Sequence, residues 1–306
     1  MSTFLGRPAY IIHCIPPDKT FKKSTIDVTS LVENAVAVLK ISREKTNVVE
    51  KRKILEKMAI FQQSSEDSIV KRGEEKCAEI CQIPIFGKEF FMHYWEVDFL
   101  KTARWLTNFD AFLSLPDVVK LKIVMATWHV RARLQRLLMT AKCRKCDEIQ
   151  ENEFMIAENA LFDLKTCQLD VSWCTPYPND QIQFFLENSD DWVHNEVVEN
   201  LKILNPTDIE STFMLLQLCF HYAGKRFQGD ILTKMEQFLD AISDELHEYY
   251  QQLEIANYSE RLAKMMKINN RIQQIIWEKR WKADLAEKFD IFNVKFSHPE
   301  MFYDCC

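Results

Sequence analysis

The stretch that decides the fold runs from Asp98 to Trp128: DFLKTARWLTNFDAFLSLPD (98–117) followed by VVKLKIVMATW (118–128). Upstream, Phe91, Tyr94, Trp95, Phe99, Leu100, Ala103, Trp105 and Leu106 recur at helical spacing and predict a long helix over Lys88–Phe109. Leu115-Pro116-Asp117 breaks it. Pro116 sits near the start of the next helix, where its missing N–H costs nothing. That helix, Val118–Ala141, is apolar nearly all round through Leu121, Ile123, Val124, Met125, Ala126 and Trp128. A helix without a polar face belongs in the middle of a layered bundle, and a link this short lays the two helices side by side.

Outward from that core the same periodicity continues. Residues 1–25, with Pro8, Pro16 and Pro17, read as an irregular lead-in to a single domain over 26–306. Ser30-Leu-Val-Glu33 is a capping-box pattern that opens a helix over Leu31–Ile41. Helical patterns follow around Val48–Gln62 and, more polar, Asp67–Cys81. Residues 153–175 change character: Phe154-Met-Ile-Ala, Glu158-Asn159 and Ala160-Leu-Phe-Asp-Leu predict a small hairpin, with a further short strand at Leu169–Trp173. Helices resume at Gln181–Leu186, Trp192–Leu204, Asp208–Tyr222, Asp230–Leu253 and Ser259–Phe289, and His298-Pro299-Glu300 starts a last short helix over Met301–Cys306. With only 5 Gly, 47% hydrophobic and 27% charged residues among 306, the chain suits an all-α domain with a sizeable core.

Composition also excludes function classes. A net charge of -6 gives no global electrostatic case for nucleic-acid binding. Phe213–Phe220, the longest apolar run, is far too short to cross a bilayer, and no secretory h-region is visible near the N-terminus. The ten cysteines are irregularly spaced and read as reduced thiols of the nucleus or cytosol. Cys143-Arg-Lys-Cys146 lacks the second close pair that structural zinc needs, so it reads as two thiols one turn apart. His247-Glu-Tyr-Tyr-Gln251 misses the second histidine of the zinc-protease motif. No phosphate loop or nucleophile elbow appears, so no metal, cofactor or enzymatic activity is expected.

The 98–128 stretch resembles the helix 3 to helix 5 signature of nuclear hormone receptor ligand-binding domains, with Phe112 and Leu115 as the apolar turn pair and Trp128 as the helix 5 aromatic. LDVSWCT (169–175) and NVKFSHPEMFYD (293–304) are similar to the divergent nematode branch of that family. The resemblance covers roughly 25–306. It implies a three-layer antiparallel helical sandwich around an internal lipophilic pocket, closed by a short C-terminal helix that a ligand biases between two positions. Expected partners are a small lipophilic ligand, coregulator proteins and a second receptor in a homo- or heterodimer. The basic penultimate helix, with Lys264, Lys267, Arg271, Lys279, Arg280 and Lys282, is the family's common dimer surface. The family reads DNA through two four-cysteine zinc modules, and this sequence contains neither. The implied location is the nucleus, with the cytoplasm as a second site. The rival reading is a ligand-independent helical scaffold that sequesters receptor partners or coregulators.

Site residues follow from the resemblance. MFYDCC (301–306) fits the terminal pattern of two apolar residues, any residue, an acid and two apolar residues. Asp304 would cap the free N–H groups of a coactivator helix. The coregulator groove would use Lys120, Leu121, Val124, Met301, Phe302 and Asp304. The opposite basic clamp departs from the pattern: counted back from Phe112 it falls on Thr107, and Lys120 and Lys122 are substitutes nearby. Thr102, Ala103, Leu106, Trp128, Phe162 and Met266 are the candidate pocket residues, against the competing reading that apolar residues at helical spacing are plain core. Arg131, Arg133 and Arg136 crowd the same helix; either they face out or one meets an acidic ligand head group.

Overall fold

The computed structural model describes residues 3–4, 7–8, 23–44, 53–70, 80–186 and 190–304. Its helices are α1 (Thr29–Glu44), α2 (Ile54–Val70), α3 (Lys88–Leu106), α4 (Asp110–Leu113), α5 (Asp117–Lys145), α6 (Gln183–Leu186), α7 (Asp190–Leu204), α8 (Asp208–Phe227), α9 (Gly229–Gln252) and α10 (Ser259–Lys288). Short strands join them: β1 (Thr3–Phe4), β2 (Arg7–Pro8), β3 (Ser24–Ile26), β4 (Cys81–Gln82), β5 (Ile85–Phe86), β6 (Glu153–Ala157), β7 (Ala160–Asp163), β8 (Gln168–Leu169) and β9 (Val294–Phe296). Helices α5 and α8 pack against each other at the centre; α1 and α3 pack on α5, α9 packs on α8, and α10 packs on α7 and α8. The result is the helical sandwich that the resemblance implies.

The middle layer is made by sequence without a polar face. In α8, every residue from Thr212 to Phe220 is buried. A complete capping box starts that helix: Thr207 accepts from the Glu210 backbone while Glu210 accepts from the Thr207 backbone. Asp117 in the first turn of α5 and Lys142, Arg144 and Lys145 in its last turn complement the helix dipole. At Gly224 an added Cβ would stand 3.0 Å from Leu232 Cδ1 and 3.3 Å from Met235 Cβ, so glycine sets how closely α8 and α9 approach. The bend between them holds Gln228 at φ 55° and ψ −170°, a conformation that favours glycine.

The hairpin forms as expected, with β6 and β7 antiparallel through Phe154 opposite Phe162. Its sheet gains β4 as a parallel edge strand, and β8 pairs with β5 rather than forming a strand over Leu169–Trp173. Three further expectations are corrected. Ser30 lies inside the first turn of α1, where Asp27 accepts from the Thr29 backbone N–H and hydroxyl, so Ser30–Glu33 is not the cap. Helix α3 ends at Leu106 and not at Phe109, because Asn108 and Phe109 bond back three residues to Trp105 and Leu106. Among the described residues the last element is one 3-10 turn, Pro299–Met301, and Phe302–Asp304 do not continue it as a helix. Parts of the expected Val48–Gln62 and Asp67–Cys81 helices lie outside the described residues, as do Cys305 and Cys306.

Candidate functional site

One cavity of about 280 Å³ lies between α3, α5 and the β6–β7 hairpin. Two of the expected pocket residues, Trp128 and Phe162, border it. Thr102, Ala103 and Leu106 do not: all three are fully buried in the packed core, and the Thr102 hydroxyl bonds back to the Asp98 carbonyl. Met266 packs against the same core, away from the cavity. Helix α3 therefore turns its earlier residues toward the space, through Phe90, Phe91, Tyr94 and Trp95. The aromatic lining is continuous: Phe86 stacks on Phe90 at 4.4 Å and meets Phe162 edge-on at 5.0 Å, and Phe162 stacks on Phe154 at 5.7 Å.

The polar part of the wall comes from α5. His129, Arg133 and Arg136 stand at i, i+4 and i+7 and share one stripe of the helix, and all three border the cavity. That spacing was readable in the sequence and is the signal that would have found them. Arg136 is ion-paired with Asp98 of α3 and donates to the Ile156 carbonyl of β6. Burial pushes the Asp98 carboxyl above its usual range, against the pull of Arg136. His129 is buried edge-on between Trp128 and Tyr222, and neither ring nitrogen has a hydrogen-bond partner. Burial depresses its pKa to about 3, so the imidazole is neutral at physiological pH. The third arginine of the cluster, Arg131, is buried with its guanidinium over Trp105 at 4.7 Å.

The C-terminal segment docks against the far side of that wall. The Trp128 indole N–H donates to the Met301 carbonyl at 2.9 Å, and Met301 is fully buried. Phe302 stacks on Phe296 of β9 at 3.9 Å and lies 5.0 Å from the Trp95 ring. Trp95 and Trp128 thus have the cavity on one side and the chain terminus on the other.

Asp304 departs from its expected role. Its side chain is 2% exposed, pairs with Arg280 of α10 (Nε to Oδ1, 2.7 Å) and accepts from the Tyr222 hydroxyl of α8. Burial alone would raise its pKa, but Arg280 and Tyr222 hold it below the usual carboxylate range. A carboxylate so engaged is not presented to a partner helix. Lys120, expected in the groove as a substitute clamp, is corrected too: it is fully buried and paired with Asp117 at 2.7 Å, so its ammonium is not offered to a partner helix. Val124 is fully buried and Leu121 half-buried, so these groove residues form interior in this state. Thr107 follows the end of α3 and donates its hydroxyl to the Arg104 carbonyl. Arg104 itself is exposed in the last turn of α3, a cation that counting from Phe112 overlooked. Val118, 68% exposed in the first turn of α5, is the apolar counterpart across the connection.

Among the described residues, no group of three His, Cys, Asp or Glu comes together to hold a metal, and no helix is long and apolar enough to cross a membrane. Cys143 is half-buried, and burial with the neighbouring Glu148 pushes its thiol up to about 12, far from thiolate chemistry.

A layered helical sandwich with a half-open aromatic cavity, and with the C-terminal segment against the cavity wall, has the form of a receptor-type ligand-binding fold. Comparison with known proteins agrees. A family model described as the ligand-binding domain of nuclear hormone receptor matches residues 78–289. Nuclear hormone receptor family member nhr-130 of Caenorhabditis elegans is 40% identical over 306 residues, spanning 98% of this chain and 67% of its own length. Nuclear hormone receptor family member nhr-90 of the same organism is 36% identical over 310 residues, spanning 99% and 74%. The Ultraspiracle ligand binding domain from Drosophila melanogaster shares the fold with a TM-score of 0.51 at 12% identity, over 82% of this chain and 95% of that one. The chain belongs to the nuclear hormone receptor ligand-binding domain family.

Proposed function

We propose that the chain is a ligand-sensing, coregulator-recruiting domain acting in transcription in the nucleus, and that cavity occupancy sets the docking of the C-terminal segment. The observation that carries this is the pair Trp95 and Trp128, each bordering the cavity while contacting Phe302, with Trp128 also bonded to Met301. A ligand that packs against those indoles in the docked state shifts the population toward it by its differential affinity for the two states. The coregulator surface is the α3–α5 connection, with exposed Arg104 as the cation for the C-terminal carbonyls of a partner helix and Val118 as an apolar anchor. The α10 face bearing exposed Trp277 and Trp281 is the candidate receptor dimer surface.

Native mass spectrometry of the purified domain, intact against denatured, with extraction of any released lipophile, tests the ligand reading. A bound small molecule supports it. An empty domain whose melting temperature is unchanged across lipids, sterols and small aromatic acids contradicts it. One observation favours the ligand-independent scaffold as a second reading: the terminal acid is already consumed by Arg280 and Tyr222. A coregulator-type amphipathic helix that binds equally with and without ligand would decide for the scaffold.

A further inference from the structure

The C-terminal segment is held from a second direction, away from the cavity. Strand β9 leads into it, and among the described residues the one strand paired with β9 is β3, in parallel register with Ser24 beside Val294 and Ile26 beside Phe296. The Ser24 N–H donates to the Asn293 carbonyl at 2.9 Å, and the Ser297 N–H to the Ile26 carbonyl at 3.0 Å. Just beyond the strands the Val28 N–H donates to the Ser297 hydroxyl oxygen at 2.9 Å. Lys23 and Asp290 add an exposed ion pair at 2.7 Å ahead of them. On the β3 side these bonds end on firm ground: Val28 is buried, and α1, which starts at Thr29, packs on α3 and α5.

Phe296 carries that hold to the segment. Its ring stacks on Phe302 at 3.9 Å, and Trp95 meets both rings, at 5.7 Å and 5.0 Å. Ile26 and Phe296 pack on the core without bordering the cavity. The base of β9 has a separate anchor: the Asn293 N–H donates to the Cys174 carbonyl at 2.8 Å, and the Thr175 hydroxyl to the Ile291 carbonyl at 2.7 Å. Loss of β3 therefore frees the strand from Val294 onward and leaves its base fixed. The pairing is also weak enough to open. Each strand is three residues long, Ser24, Thr25 and Lys295 are exposed, and a lone two-stranded pair is marginal in water.

We infer that β3 is a strap that keeps the C-terminal segment docked, so that the chain leading into Ser24 controls the segment through β9 and Phe296. Tension on that lead-in unzips β3 from β9, removes the support under Phe296 and releases Phe302. The release needs no occupant in the cavity. Two inputs then meet at Trp95: the cavity acts on its indole directly, and the strap acts through Phe296 and Phe302.

Amide hydrogen exchange on the whole chain, with no ligand added, tests the inference. Ser24→Pro removes the first inter-strand donor at an exposed strand start, where proline is tolerated, and Ser297→Ala removes the acceptor of Val28. One net hydrogen bond corresponds to about a two- to tenfold change in an opening equilibrium, so each variant should speed exchange at Met301 and Phe302 by about that factor, and the double variant by more than either. The Asn293 amide, on its own anchor, and the amides of α5 should keep their rates. Thr25→Val with Lys295→Val sets a β-branched pair across the exposed face of the strands and should slow exchange at Met301 and Phe302 about twofold. That variant leaves the core untouched and serves should the loosening variants fail to fold. Faster exchange at Ser297 with unchanged exchange at Met301 and Phe302 overturns the inference, because β3 then holds β9 alone. Equal acceleration at Met301, at Asn293 and within α5 overturns it too, because the pairing then supports the whole fold. So does a valine pair that protects Ser297 and leaves Phe302 unchanged.

Discussion

Replacing Arg280 by methionine removes the cation that holds Asp304 and leaves a buried carboxylate with only the Tyr222 hydroxyl. Breaking a buried pair from one side costs about 3–5 kcal/mol. Protonating the stranded carboxyl at pH 7 from an ordinary pKa near 3.9 costs about 4 kcal/mol, which caps the penalty. Asp304→Asn leaves Arg280 instead, whose side chain is 37% exposed and rehydrates, so its cost is about 1–2 kcal/mol. The segment can open without unfolding the core, so the loss falls on local opening rather than on global stability. At about 1.4 kcal/mol per tenfold, amide hydrogen exchange at Met301 and Phe302 should accelerate about 100-fold or more in R280M and about tenfold in D304N. Both amides are hydrogen-bonded within the terminal turn, to the His298 and Pro299 carbonyls, and so report the docked state. The melting temperature should move little. Unchanged protection in R280M, or a larger effect in D304N than in R280M, refutes the reasoning.

Other predictions follow the same physics. His129 is neutral in the folded state with a pKa of about 3 and takes up a proton on unfolding below about 6.5, so folding stability falls as pH drops through that window. Between pH 6.5 and 5.0 this amounts to about 2 kcal/mol, and His129→Phe should remove that part of the slope in urea titrations at the two pH values. Asp304, with its pKa lowered, contributes stability above the ordinary carboxylate range that is lost only as pH falls through its depressed value; segment protection should therefore hold from pH 7 to 5. Gln228→Gly relieves a positive φ at the α8–α9 bend and should raise stability by about 0.5–1 kcal/mol by denaturant midpoint, net of the lost bond to the Lys225 carbonyl. Thr207→Ala removes half of the capping box of α8 and should cost about 1 kcal/mol by the same measurement.

The layered core was legible because burial leaves a periodic record. The runs through α3, α5 and α8 are apolar at the positions that pack, and the hairpin announced itself by its change of period at Phe154. The capping box of α8, Thr207-Asp-Ile-Glu210, went unread, whereas the identical spacing at Ser30–Glu33 falls within the helix because Asp27 and Thr29 start it earlier. The terminal segment was not legible. Six residues match a family pattern easily, but the fate of Asp304 depends on Arg280 and Tyr222, 24 and 82 positions away. Periodicity says nothing of such pairings. Lys120 misled for a related reason: a lysine beside the turn looks free to clamp a partner helix, and only its pairing with Asp117 one turn back shows that the ammonium is buried. At the cavity, helical spacing could not choose between the two faces of α3, so Thr102, Ala103 and Leu106 were expected where Phe91, Tyr94 and Trp95 border the space.

Trp95 and Trp128 border the cavity and also contact Phe302 of the C-terminal segment. Hydrogen exchange at Met301 and Phe302, followed with the cavity empty and then saturated by a ligand shown to bind, reads that link directly. Tighter packing against the two indoles predicts protection at these amides rising with occupancy, along the same curve as binding. Protection that stays constant while the cavity fills would contradict the coupling and leave the domain a scaffold indifferent to its ligand.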